Sequence, residues 1–185
     1  MNKIAIFSLL AFLFMGCTDQ NSPRVVKPVE KPRVRMAKEI LSRTDKFTFA
    51  NYHSSRNVDQ ATAILNIQAA AAGYASKRSS YGRSPGGYCY LQENMLAGML
   101  KLSDMGYSIR ISEFAGGEHS SRSRHYLGVA YDLTHINGVR ISWNNPYYRE
   151  YMRKARALGA TEVLGPGDRN HSSHLHISWP RPTGQ

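Results

Sequence analysis

The feature that most constrains this chain is the alternation in "HLHISW", residues 174–179. Read as a strand, it sends Leu175, Ile177 and Trp179 to one face and His174, His176 and Ser178 to the other. The apolar face can enter a core, while two imidazoles project together from a rigid element. On a helix, residues two apart would point away from each other. His171 precedes the strand in a polar turn and can fold over the same face.

Period-2 patterning recurs upstream. In "GVAYDL" (128–133), Val129, Tyr131 and Leu133 oppose Gly128, Ala130 and Asp132; in "YSIRISEF" (107–114), Tyr107, Ile109 and Ile111 oppose Ser108, Arg110 and Ser112. "GVRISW" (138–143) reads as another strand, reached through the turn "INGV", and residues 162–170 as a short strand and a loop. Three segments read as helices: 59–75 with Asp59 as N-cap, 90–106 with a Leu and Met core stripe, and 145–159. Residues 76–87 and 115–125 read as loops. Helices first, then strands mixed with a helix, predict an α+β domain with a small, largely antiparallel sheet flanked by helices. A chain of 185 residues suits one such domain.

The N-terminus adds a destination. "MNKIAIFSLLAFLFMGC" carries one Lys, an apolar run from Ile4 to Met15, then Gly16 and Cys17. The run is short for a membrane span and fits a secretory signal; a small residue just before Cys resembles a lipoprotein signal. The expectation is a signal peptide over 1–17 with lipidation at Cys17, and an exported, membrane-anchored lipoprotein facing the periplasm or cell wall. Thr18 stands where an inner-membrane retention Asp is found in some bacteria, which favours the outer membrane. Residues 18–42, rich in Pro, Lys and Arg, read as an extended basic tether, leaving 43–185 as the folded domain. The formal net charge of +11 favours an anionic partner, and export turns that partner from nucleic acid toward a cell-wall polymer. With Cys17 lipidated, Cys89 has no partner for an internal disulfide and reads as a small buried hydrophobe.

A charged Asp132 inside an apolar run is costly unless paired or coordinated. His125 lies at the mouth of the same strand. With His176 these make a two-His, one-carboxylate set, which for zinc leaves a fourth position open to water, the layout of a catalytic site. "SRHYLGVAYD" resembles the Ser-x-His-x-x-Gly-x-Ala-x-Asp pattern of the zinc D-Ala-D-Ala metallopeptidases, with Ser123, His125, Gly128, Ala130 and Asp132 at the patterned positions. "HLH" resembles the closing His-x-His of that superfamily, which also contains murein endopeptidases and the hedgehog domain. The resemblance covers about residues 88–179.

It implies a hedgehog or D-Ala-D-Ala peptidase-like fold and one zinc ion held by His125, Asp132 and His176. His174 becomes the base or transition-state stabiliser; His171 and Arg124 become candidates for stabilising the oxyanion. Ser173 stands where the dipeptidase branch has a Glu base, which favours His174. "SEFA" (112–115) stands where many carboxypeptidases have Ser-Gly-Tyr-Arg, so carboxypeptidase and endopeptidase both stay open, with Arg110, Arg122 or Arg124 as possible substitutes for that Arg. The implied function is an exported zinc peptidase that hydrolyses peptidoglycan stem peptides or cross-links as a monomer. Two alternatives stand beside it. One is a non-catalytic, metal-binding lipoprotein of the cell wall. The other is a non-haem iron oxygenase, disfavoured by the seven-residue spacing of His125 and Asp132.

Overall fold

The computed structural model describes residues 30–181. Cys17, the signal peptide and the first part of the tether lie outside the described residues. The described residues are α+β: four α-helices and a six-stranded, mostly antiparallel sheet that is mixed at one edge. The sheet runs β1 (Phe47–Phe49), β4 (Ile109–Glu113), β5 (Ala130–Ile136), β8 (Leu175–Ser178) and β7 (Glu162–Leu164), with β6 (Val139–Arg140) also pairing with β5. Only β1 on β4 is parallel; that edge strand was not foreseen. A separate pair, β2 (Ser76–Lys77) with β3 (Tyr88–Cys89), closes the 76–87 loop at its base.

The alternation read from the sequence divides the sheet as expected. Ile109, Ile111, Tyr131, Leu133, Leu175, Ile177 and Trp179 join one apolar cluster with the helices α1 (Pro32–Ser42), α2 (Ala63–Ala71), α3 (Glu93–Asp104) and α4 (Tyr148–Ala157). Trp179 stacks on Tyr131 and fills the space over Gly98, where a Cβ would stand 2.3 Å from its ring. Full burial of each large side chain here contributes roughly 1.5–3 kcal/mol. Asp132, His176 and Ser178 point to the opposite face.

The tether ends earlier than expected. Residues 32–42, placed in it by their Pro and basic content, form α1 instead. Pro32 sits in the first turn, where its missing N–H costs nothing. Val34, Ala37 and Ile40 recur at helical spacing and are buried. Arg43 then ties the end of α1 to α3 through Asp104 at 2.5 Å and Ser103 at 2.5 Å. Asp59 is not a helix cap either: it lies before α2 and accepts hydrogen bonds from the Ala61 N–H and from His53.

A bulge gives the sheet its asymmetry. Ile111 pairs with Leu133, yet Glu113 pairs with Asp132, one residue along β5 for two along β4. Strict alternation would have sent Glu113 into the core with Ile109 and Ile111. The bulge turns it onto the face of Asp132.

Candidate metal centre

Three elements bring the predicted ligands together. A 3-10 turn, Arg124–Leu127, carries His125; Ser123 caps it by accepting the His125 N–H at 3.3 Å. Gly128 ends the turn at φ 71°, a conformation that favours glycine, and a Cβ there would stand 2.1 Å from the Tyr90 carbonyl oxygen. That glycine serves the turn and the close approach of Tyr90. Asp132 and His176 face each other as direct partners of the β5–β8 ladder.

The donor atoms converge. His125 Nε2 lies 3.1 Å from Asp132 Oδ1 and 3.0 Å from His176 Nδ1, and His176 Nδ1 lies 2.9 Å from the same carboxylate oxygen. All three residues are buried. A tetrahedral zinc centre with bonds of about 2.0–2.1 Å spaces its ligands about 3.3 Å apart, so the set is slightly tighter than a metal would hold it. The His125 Nδ1 donates to the Phe114 carbonyl at 2.5 Å, which leaves its Nε2 lone pair aimed at the carboxylate in the neutral tautomer. Lone pairs crowded together in a buried site need a cation between them, a proton or a metal. Burial alone would push the Asp132 carboxyl up, but His125 and His176 hold it well below the usual carboxylate range. The residues present fit a divalent ion.

A fourth group stands beside them that sequence reasoning missed. A ligand atom of His119 lies within 4.8 Å of those of His125 and Asp132, so His119, His125 and Asp132 form a group able to hold a metal ion. The His119 ring stacks on that of His125, centroids 4.0 Å apart at 11°. Burial and the neighbouring His125 pull its pKa down to about 3. The only signal for it was a further histidine in "GGEHSSRSRH", six residues before a ligand and inside a loop.

The centre opens into a cleft of about 820 Å³ whose lining includes Arg83, Arg140, Glu118, Glu162, His171 and His174. His171 and His174 are brought together as foreseen, with ring centroids 4.8 Å apart. Burial lowers the His174 pKa, with Asp132 partly opposing it. His171 faces the Arg169 carbonyl through Nδ1 at 2.6 Å. Arg124 is not among the residues that line the cleft. Its guanidinium is committed to Thr161 at 2.8 Å, Ser178 at 3.2 Å and Glu162 at 3.1 Å. Glu162 in turn faces the buried Nε2 of His176 at 3.2 Å. The half-buried Cys89 has its thiol pushed up to about 11 by burial, as befits an inert residue.

A second buried network adjoins the first. His53 is held between two carboxylates, with Nδ1 at 2.9 Å from Glu113 Oε1 and Nε2 at 2.7 Å from Asp59 Oδ1. Burial would lower the His53 pKa, but Glu113 and Asp59 raise it to about 9. Burial raises that of Glu113 against the opposing effect of His53. No protein-family model, curated protein or solved structure matches this chain.

Proposed function

We propose that this chain is an exported, zinc-dependent peptidase that hydrolyses peptide bonds of peptidoglycan, with a hedgehog or D-Ala-D-Ala peptidase-like arrangement of its sheet. The observation that carries the reading is the convergence of three buried donors, His125 Nε2, Asp132 Oδ1 and His176 Nδ1, in a cleft lined by several charged side chains. The sequence pattern around His125 and Asp132, the lipoprotein-type leader and the basic charge support the same reading.

His125, Asp132 and His176 would hold the ion, which supplies a water acidified toward neutrality and a Lewis acid for the scissile carbonyl. The rest falls to the chain. His174, half-buried beside the centre and held neutral by burial, is suited to take a proton from the nucleophile and return it to the leaving amine. His171, packed against it, has Nδ1 turned to the Arg169 carbonyl, so it would offer a donor toward the developing oxyanion only with both ring nitrogens protonated. Arg83 and Arg140 line the cleft and suit substrate carboxylates; Glu118, which pairs with Arg83 at 3.3 Å, suits an amine. A peptide carrying both charges matches such a lining.

One observation favours the second reading, a metal-binding wall lipoprotein without turnover: His119 offers a further ligand, and a closed ligand set is the mark of a structural centre. Digestion of purified peptidoglycan by the full chain, with and without chelator, decides between them by mass spectrometry of the released muropeptides. Chelator-sensitive loss of terminal D-Ala is expected of a carboxypeptidase, and loss of cross-linked dimers of an endopeptidase. Unchanged muropeptides from zinc-loaded protein, matching an Asp132→Ala control, would overturn the hydrolase reading.

A further inference from the structure

We infer that His119 is a fourth protein ligand of this centre, so that the resting ion is held by His119, His125, His176 and Asp132. The inference rests on the metal-site reading above and deepens it. His119 is built as His125 is built. Each imidazole has one nitrogen anchored on a backbone carbonyl of the same loop: His125 Nδ1 on Phe114 at 2.5 Å, His119 Nε2 on Gly116 at 3.0 Å. A carbonyl only accepts, so that nitrogen carries the proton and the other carries a lone pair. This is the device that fixes the tautomer of metal-bound histidines. In His119 the nitrogen so prepared is Nδ1.

The backbone is fixed as well. The His119 N–H donates to the Tyr126 hydroxyl at 2.8 Å, and that hydroxyl reaches the Gly117 carbonyl at 3.1 Å. Gly117, at φ 79°, lets the loop close this tightly; a Cβ there would stand 3.1 Å from His119 Nε2 and 3.2 Å from the Glu113 carboxyl carbon. The ring lies flat on His125, with its ligand atom within 4.8 Å of those of His125 and Asp132. The stacked ring sends its lone pair parallel to that of His125, so ligation requires the His119 ring to turn as well as an approach of up to about 1.5 Å.

The four ligands are not equivalent. Asp132 and His176 come from central strands and His125 from a buried turn, whereas His119 comes from a loop between exposed Glu118 and Ser120. His119 is the ligand that gives way. With four protein ligands the centre would be closed at rest, and His119, on its exposed loop, would be the residue to yield its place to water or substrate.

The test uses the full chain in detergent, with zinc affinity read by competition against a chromophoric chelator and Co²⁺ as a spectroscopic probe. His119→Ala and His119→Gln are expected to weaken zinc binding about tenfold or more. Both are expected to change the Co²⁺ visible bands, and added imidazole to return the Ala variant to the wild-type spectrum. His119→Gln keeps a donor for Gly116, which guards against a simple folding defect. Wild-type affinity and unchanged Co²⁺ bands in both variants, while Asp132→Ala loses the ion, would overturn the His119 assignment and leave the three-ligand centre intact. Zinc binding that is indifferent to Asp132→Ala would overturn the centre itself.

Discussion

Two buried networks of histidine and carboxylate sit side by side on one sheet face, and they make opposite demands. In the first, one imidazole, His53, lies between two carboxylates, Glu113 and Asp59. In the second, His125 and His176 share one carboxylate, Asp132. The backbone joins them, because Glu113 and Asp132 are partners across β4 and β5. A protonated His53 has two N–H groups for two acceptors, so the first network satisfies itself. The second has two ring nitrogens and an oxygen directed at a common point, with His125 already donating its one proton to Phe114. The ratio of donors to acceptors, rather than residue type, makes one network a brace and the other a group able to hold a cation.

The largest expected effect is on metal. Zinc at a thousandfold excess over its dissociation constant should stabilise the wild-type chain by about 4 kcal/mol. In Asp132→Ala that stabilisation should vanish, as read by thermal melts with and without zinc. A melt of Asp132→Ala that still rises with zinc would break the distinction, because the brace or another group would then be holding the ion.

The brace should answer to mutation of its own histidine and not to chelator. His53→Ala leaves Glu113 and Asp59 facing each other without the cation between them, at a cost of about 3 kcal/mol in denaturant unfolding. That cost should be the same with and without zinc. A loss seen only in zinc-loaded protein would mean that His53 acts through the metal centre.

An effect of similar size is expected from pH. His53 titrates at about 9 in the folded chain, against an ordinary value near ~6.5 when unfolded. Its contribution is therefore complete below about pH 6.5 and is lost as pH rises through about 9. The groups facing it are Glu113 and Asp59. Unfolding free energy of metal-free protein should fall by about 3 kcal/mol over that range, and His53→Ala should flatten the fall. An equal slope in the variant would show that another group carries it.

The second network was legible in the sequence and the first was not. Asp132 and His176 alternate with core residues on two strands, so periodicity placed both on one face, and the pattern leading from Ser123 added His125. Helical spacing and alternation also gave α3, α4, β5 and β8 to within a few residues. Glu113 was hidden by the bulge, since period 2 assigns it to the core. His53 draws its identity from a carboxylate 60 residues away, a distance no local pattern reports. The Pro and basic content of residues 32–42 concealed an apolar stripe that shows only when Pro32 is allowed its place at a helix start. His119 carries no periodicity, being positioned by loop hydrogen bonds.

Arg124 gives the finest discrimination. Sequence reasoning gave it the oxyanion, whereas its guanidinium holds Glu162, which faces His176 Nε2. If Arg124 orients Glu162, and Glu162 orients a ligand, Arg124→Ala should weaken zinc binding about tenfold, the usual effect of losing an outer partner of a ligand. Glu162→Gln should do the same, and the double variant should cost no more than either alone, because both act through one ring nitrogen. An oxyanion role predicts the reverse: unchanged zinc affinity in Arg124→Ala, with turnover of zinc-saturated protein reduced by two to three orders of magnitude, about the effect of losing one oxyanion donor. Competition titration of the three variants separates the two cases.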